Sequence, residues 1–135
     1  MAKLINAEQF KSESGIATNS LVTVSGDFIS KASGFATVNT VGTEILGVAH
    51  TVKTFASDNQ TVAMDRVIYV SENTGDIMRV EVAADAAVTI ANENQFFDIN
   101  TNGTVDVATA SATSGQLKMT KFVSQTASVY AIVNK

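Results

Sequence analysis

The chain has 135 residues and a formal net charge of −4, and it contains neither cysteine nor proline. This length corresponds to about one domain with a single core, and the lack of cysteine excludes a disulfide framework. The nine basic residues are scattered singly, so no cluster is present that could follow a phosphate backbone, and nucleic acid is not an expected partner.

The residue types favour strands over helices. Valine, isoleucine and threonine together number 42, whereas leucine numbers four. Branching at Cβ suits a pleated, half-buried strand. The apolar runs are far shorter than the roughly 20 residues that cross a bilayer as a helix, so a membrane partner is not expected. Glu8 interrupts the first segment before the apolar core of a secretory signal could form, which predicts synthesis and action in the cytoplasm.

Residues 1–20 are predicted to form an extended N-terminal arm, and residues 21–135 a single β domain. Leu4, Ile5 and Phe10 are apolar residues in an otherwise polar, turn-prone segment. Two interpretations stay open: a frayed terminus, or an arm that becomes ordered on a partner.

Two later segments alternate with the period of a strand. Leu21–Ser25 places Val22 and Val24 on one face. Ile77–Val82 alternates more cleanly, and its apolar residues are predicted to face inward.

Residues 26–70 and 94–135 share an order of strand-like runs and turns. A run that ends at Gly34 is matched by one that ends at Gly103, 69 residues later. A fourth element is placed at Thr61–Met64 in the first copy. The repetition predicts two similar antiparallel β units that share a core, as a compact β-sandwich or a small barrel.

The segment from residue 98 to residue 109 admits two interpretations. Its candidate oxygen ligands for calcium are Asp98, Asn100, Asn102 and Asp106. The twelfth position, however, is Thr109, which lacks the bidentate carboxylate of such loops, and Asn102-Gly103 is a strong turn pair. A structural hairpin is the favoured interpretation, with no cofactor, and a calcium site is the alternative.

His50 is the only histidine, and no thiol is present. A nucleophilic triad would need this imidazole beside a serine and a carboxylate. A structural histidine at a strand end is the favoured interpretation, so we expect no enzymatic activity. Catalysis through His50 is the competing hypothesis.

Apolar residues in polar surroundings are candidates for contacts with other proteins. The predicted interface residues are Leu4, Ile5, Phe10 and Phe55.

Taken together, these motifs resemble the small capsid cement, or decoration, proteins of tailed bacteriophages. The resemblance rests on the segments Ile45–Ala49, Asp58–Ala63, Asn94–Val105 and Ala127–Val133. Two features depart from that pattern: Lys118–Thr120 replaces a second Gly-Val-Ala-like strand, and the predicted arm has no counterpart.

The resemblance implies a noncatalytic virion protein on the outer capsid surface. Its partner would be the major capsid protein, and it would stabilise contacts between capsomers as a homo-oligomer, with a trimer favoured over a dimer. The alternative is a carbohydrate-binding β-sandwich module or head-fibre base that recognises a host surface. Loops rich in Asn, Thr and Asp motivate that alternative, whereas the lack of tryptophan weakens it.

Overall fold

The computed structural model describes residues 2–5, 11–39, 43–71, 78–121 and 128–133. Its strands are β1 (Ala2–Leu4), β2 (Lys11–Ile16), β3 (Val22–Thr23), β4 (Phe28–Ala32), β5 (Phe35–Val38), β6 (Gly47–Ala49), β7 (Lys53–Thr54), β8 (Arg66–Ser71), β9 (Arg79–Ala83), β10 (Phe96–Ile99), β11 (Val105–Ser111), β12 (Leu117–Lys121) and β13 (Ser128–Val133). Asn59–Ala63 forms a π-helical turn and Ile90–Asn92 a 3₁₀ turn. The predicted all-β class is confirmed. Within the described ranges no helix has the length and apolar character needed to span a membrane.

The strands form two main sheets and a ribbon. One sheet has the order β1-β9-β13-β12-β10-β11, and the other has the order β2-β8-β6-β4-β5. Strands β3 and β7 pair separately as a two-stranded ribbon. Every ladder between named strands is antiparallel.

The two main sheets repeat one topology. Without β1, the order β9-β13-β12-β10-β11 matches β2-β8-β6-β4-β5 strand for strand. We call residues 11–71 the first unit and residues 79–133 the second unit. The predicted pair of similar antiparallel units is therefore present, and, apart from β1, each main sheet contains one strand, β2 or β9, that precedes the repeat indicated by the sequence.

Each unit curls so that its first and last strands meet. Ala17, just after β2, forms a parallel bridge with Ala36, and Ala84, just after β9, forms one with Val105. The hydrogen bond that follows each bridge is also repeated. The N–H of Thr18 donates to the carbonyl of Ala36 at 2.9 Å, and the N–H of Asp85 donates to the carbonyl of Val105 at 3.0 Å. Each unit is thus a partly closed small barrel.

The matching turns explain why the repeat was visible in the sequence. Gly34 has a φ of 85° and Gly103 a φ of 83°, each in the turn of the first hairpin of its unit. Glycine adopts this left-handed conformation without a Cβ clash. The predicted correspondence of these two glycines is confirmed.

The fourth element of the first copy was predicted wrongly. Thr61–Met64 belongs to the π-helical turn and its end, and the strand equivalent to β13 is β8. The cause is Asn59, whose buried side-chain amide donates to the carbonyls of Ala17 at 2.8 Å and Asp65 at 3.0 Å. These bonds fold the segment back on itself.

The predicted N-terminal arm also differs from the structure where it is described. Ala2 and Leu4 pair with β9, opposite Val82 and Val80, and β2 is the first strand of the first unit. Ala2 is buried, and Leu4 packs against the core. Residues 2–4 and 11–16 of the predicted arm are therefore sheet strands, because each sheet offers an edge to which one of them binds.

The core consists of two clusters. One lies inside the first unit and includes Ile29 and Ala49. The larger cluster fills the second unit and includes Phe97, and it also takes in Phe28 and Val48 from the first unit. Phe28 is next to Ile29 in β4, and Val48 is next to Ala49 in β6. Because neighbouring side chains of a strand point to opposite faces, β4 and β6 are buried on both faces at these positions. The outer face of the first unit thus packs against the second unit.

Polar side chains also join the two units. The buried amide of Gln116 donates to Asn39 Oδ1 at 2.8 Å and to the Thr43 carbonyl at 2.6 Å. Its Oε1 accepts from the N–H of Ile99 at 2.9 Å. Such satisfied buried bonds fix the relative position of the elements that they connect.

Candidate protein-binding surface

Exposed apolar side chains are concentrated at one end of the first unit. We call residues 21–24 and 52–64 the cap; they include the ribbon of β3 and β7 and the π-helical turn. Five of the eight large apolar side chains that are most exposed in the described residues lie in the cap. They are Val22, Val24, Val52, Val62 and Met64, with exposed fractions of 38% to 71%.

The ribbon presents a valine face to solvent. Val22 lies opposite Thr54, and Thr23 opposite Lys53. Extending this register places Val24 opposite Val52. The predicted alternation is present, but Thr23 is the buried residue, 1% exposed, and the valines point outward.

The cap is anchored from below by a buried aromatic ring. Phe55 is 2% exposed and belongs to the core of the first unit, with Leu21 packed against the same cluster. The N–H of Phe55 donates to the carbonyl of Leu21 at 2.7 Å. The valine face is therefore held on a well-packed base rather than on a free loop.

The cap contains two charged residues, Lys53 and Asp58, and Lys53 pairs with Asp65 just beyond the cap. Lys53 Nζ lies 2.7 Å from Asp65 Oδ2 and 5.3 Å from the centre of the Phe55 ring. Both charged side chains are about half exposed, so the ion pair contributes little to stability. The valine face itself carries no charged residue, which suits contact with an apolar protein surface.

The predicted interface residues lie in different environments. Ile5 is 46% exposed, whereas Leu4 is partly buried against the core of the second unit. Phe10 lies outside the described residues. Phe55 was predicted wrongly as a surface contact, because its ring fills the space beneath the ribbon.

His50 follows β6 and is exposed. Its backbone N–H donates to the carbonyl of Ile68 at 2.9 Å. The residue lines a cleft of about 270 Å³ between β1 and the first unit, together with Lys3, Leu4 and Ser25. None of the described residues that line this cleft is a carboxylate.

The segment with the four candidate calcium ligands is a hairpin, as predicted. Asp98 pairs with Asp106 across β10 and β11. Asn100 donates its amide to Thr104 Oγ1 at 3.0 Å, and Asn102 Oδ1 accepts from the same hydroxyl at 2.7 Å. These polar atoms hold the turn. In the described ranges, no three His, Cys, Asp or Glu side chains gather as a metal site would require.

Asp85, which sequence reasoning missed, fastens this hairpin to β9. Its carboxylate accepts from the N–H of Val107 at 3.0 Å and from the Asn100 amide at 3.1 Å. The bond from Val107, followed by the bond from Asn100, lowers the pKa of Asp85. Asp85 directly follows Ala84, which forms the closing bridge of the second unit.

No protein-family model matches this chain, and no curated protein matches it significantly.

Proposed function

We propose that the protein is a structural virion protein that binds the outer surface of a phage capsid and stabilises contacts between capsomers. The proposal has two supports: the sequence motifs that resemble capsid cement proteins, and a body suited to adhesion. The two barrels share a buried junction, so a load applied at one unit is passed to the other.

The cap is the observation that carries the proposal. Uncharged apolar side chains grouped on a packed base are typical of a protein-binding surface. In the proposed arrangement the cap faces the major capsid protein. The exposed valines Val22, Val24 and Val52 would be covered on binding.

Weak individual contacts are sufficient for this role. The exposed apolar patches of monomeric proteins are typically a few hundred Å² in area, which is less than the roughly 800 Å² per partner of a standard stable interface. A homotrimer on a repeating shell presents several such patches at once, and linked sites raise the overall affinity without new contacts. The trimer is part of the proposal, and light scattering of the purified protein measures it.

The direct experiment mixes purified protein with mature heads that lack it. We expect co-sedimentation at micromolar protein and a higher temperature of head disruption. The variant Val52→Asp should bind at least tenfold more weakly. The matched control is Ile90→Asp, because Ile90 is 70% exposed, like Val52 at 68%, but lies in the second unit. Absence of binding by the unmodified protein contradicts the proposal. If Val52→Asp and Ile90→Asp lose the same amount of affinity for the heads, the cap is not the binding surface.

A further inference from the structure

The outer edge of β9 shows how this fold accepts an additional strand. β1 pairs there with Lys3 opposite Glu81, and the N–H of Ile5 donates to the Arg79 carbonyl at 2.9 Å. The sheet of the second unit has six strands and that of the first unit has five, and β1 is the additional strand. The edge that receives it lies just before the closing bridge of the unit.

The first unit has the same edge on β2. The closing bridges match Ala17 to Ala84, so Ser12 corresponds to Arg79 and Ser14 to Glu81. Because backbone groups alternate along a strand, the N–H and C=O of both serines face away from β8. Among the described strands, none pairs with β2 on this side at residues 12–14.

Ser12 and Ser14 are exposed at this edge. A groove of about 610 Å³ lies over the adjoining β2–β8 ladder, where Ser14 pairs with Ile68, and it is lined by Ser12, Glu13, Ser14, Arg66 and Ile68. In the turn between β4 and β5, a Cβ built on Gly34 would meet no atom within 4 Å. Close packing begins further along β2, where a Cβ on Gly15 would lie 3.2 Å from that of Ala36.

The charges in the groove indicate what kind of segment fits. Lys11 Nζ already lies 2.9 Å from Glu13 Oε1. Arg66 donates from Nη1 to Ser14 Oγ at 3.3 Å, which places a guanidinium beside Ser14. Glu81 is the residue of the second unit that corresponds to Ser14, and the basic residue Lys3 of β1 lies opposite it. Because Arg66 places a positive charge beside Ser14, the complementary residue on a strand added to β2 is acidic.

We propose that the edge of β2 at residues 12–14 binds an extended segment of another protein, added antiparallel as β1 is added to β9, with an acidic side chain opposite Ser14. This is strand addition, in which main-chain hydrogen bonds supply affinity and one side chain supplies selectivity. The site is separate from the cap and does not depend on the partner being a capsid protein.

The test uses the full-length, ¹⁵N-labelled chain and two synthetic peptides, Thr-Val-Glu-Val-Thr and Thr-Val-Lys-Val-Thr, with blocked ends. The measured quantity is the hydrogen-exchange rate of the Ser12 and Ser14 amides. The glutamate peptide should slow both amides in a saturable way. It should bind roughly two- to fivefold more tightly than the lysine peptide, as an exposed ion pair allows.

Two variants separate edge binding from other modes. Ser12→Pro removes the outward N–H and is tolerated at a strand edge, whereas Ser12→Ala keeps that N–H. We expect the proline variant to lose binding with an unchanged melting temperature, and the alanine variant to bind like the original. Three results would overturn the proposal: no slowing at millimolar peptide, equal binding by the proline variant, or amides already protected in the free protein by a second copy.

Discussion

Gln116 of the second unit and Asn39 of the first are joined by a buried hydrogen bond, with 2.8 Å between Nε2 and Oδ1. Asn39 in turn contacts Ser30 and Thr43 through its own amide. The bond lies where the outer face of one barrel packs against the other. The relative position of the two units is therefore determined by a directional hydrogen bond as well as by apolar burial.

Gln116→Leu should therefore destabilise the protein by about 2 kcal/mol, because it leaves Asn39 Oδ1 and the N–H of Ile99 without a buried partner. Urea unfolding measures the loss. The control is Gln95→Leu, since Gln95 is half-buried and accepts a single side-chain bond from Asn92 at 3.1 Å. If the free energy of unfolding falls by the same amount in both variants, the hydrogen bonds at the junction have no special role.

Asp85 should make stability depend on pH in acid. Its pKa is lowered in the folded state, so its stabilising contribution is present above the ordinary pKa of the free side chain and is lost as pH falls through the lowered value. Asp85→Asn should be less stable than the original protein at pH 7. The difference in melting temperature between the two should shrink towards pH 2. A constant difference would show that the charge of Asp85 is unimportant.

Gly47 and Gly34 should respond very differently to alanine. A Cβ on Gly47 would clash with the Val70 carbonyl oxygen, so β6 and β8 would have to separate. We expect a loss of about 3 kcal/mol or more for Gly47→Ala. Gly34→Ala meets open space and carries only the cost of its positive φ, about 1 kcal/mol. Thermal unfolding of the two variants decides whether packing or backbone conformation matters more.

Thr23→Val should stabilise the protein. The Thr23 hydroxyl is buried with no hydrogen-bond partner in the part of the chain that the structure describes, and valine has nearly the same shape. Removing the unsatisfied hydroxyl should add about 1 kcal/mol. Thr54→Val, at an exposed position of the same ribbon, should leave the melting temperature unchanged. A loss of stability in Thr23→Val would show that the hydroxyl has a partner.

The repeat was readable from the sequence because its markers are local. A positive φ needs glycine at Gly34 and Gly103, and the hairpin around Asn102 depends on the turn residues themselves. The pairing of β1 with β9 was not readable, since nothing in three residues identifies a partner strand more than 70 positions away.

The direction of burial in the cap was equally hidden. Val22 and Thr23 are both β-branched, so their propensities do not say which one faces the core. Phe55 is surrounded by polar residues in the sequence, yet it covers the core of the first unit. Whether such a residue lies on the surface or in the core depends on tertiary packing, which the neighbouring residues in the sequence do not indicate.

The position of β9 between β1 and β13 has a consequence for folding. The ladders of the first unit all lie within residues 11–71, whereas β9 needs partners at residues 2–4 and 128–133. Closing such long loops slows folding. On a ribosome the first barrel is able to form early, and the second waits until its last strand has been made.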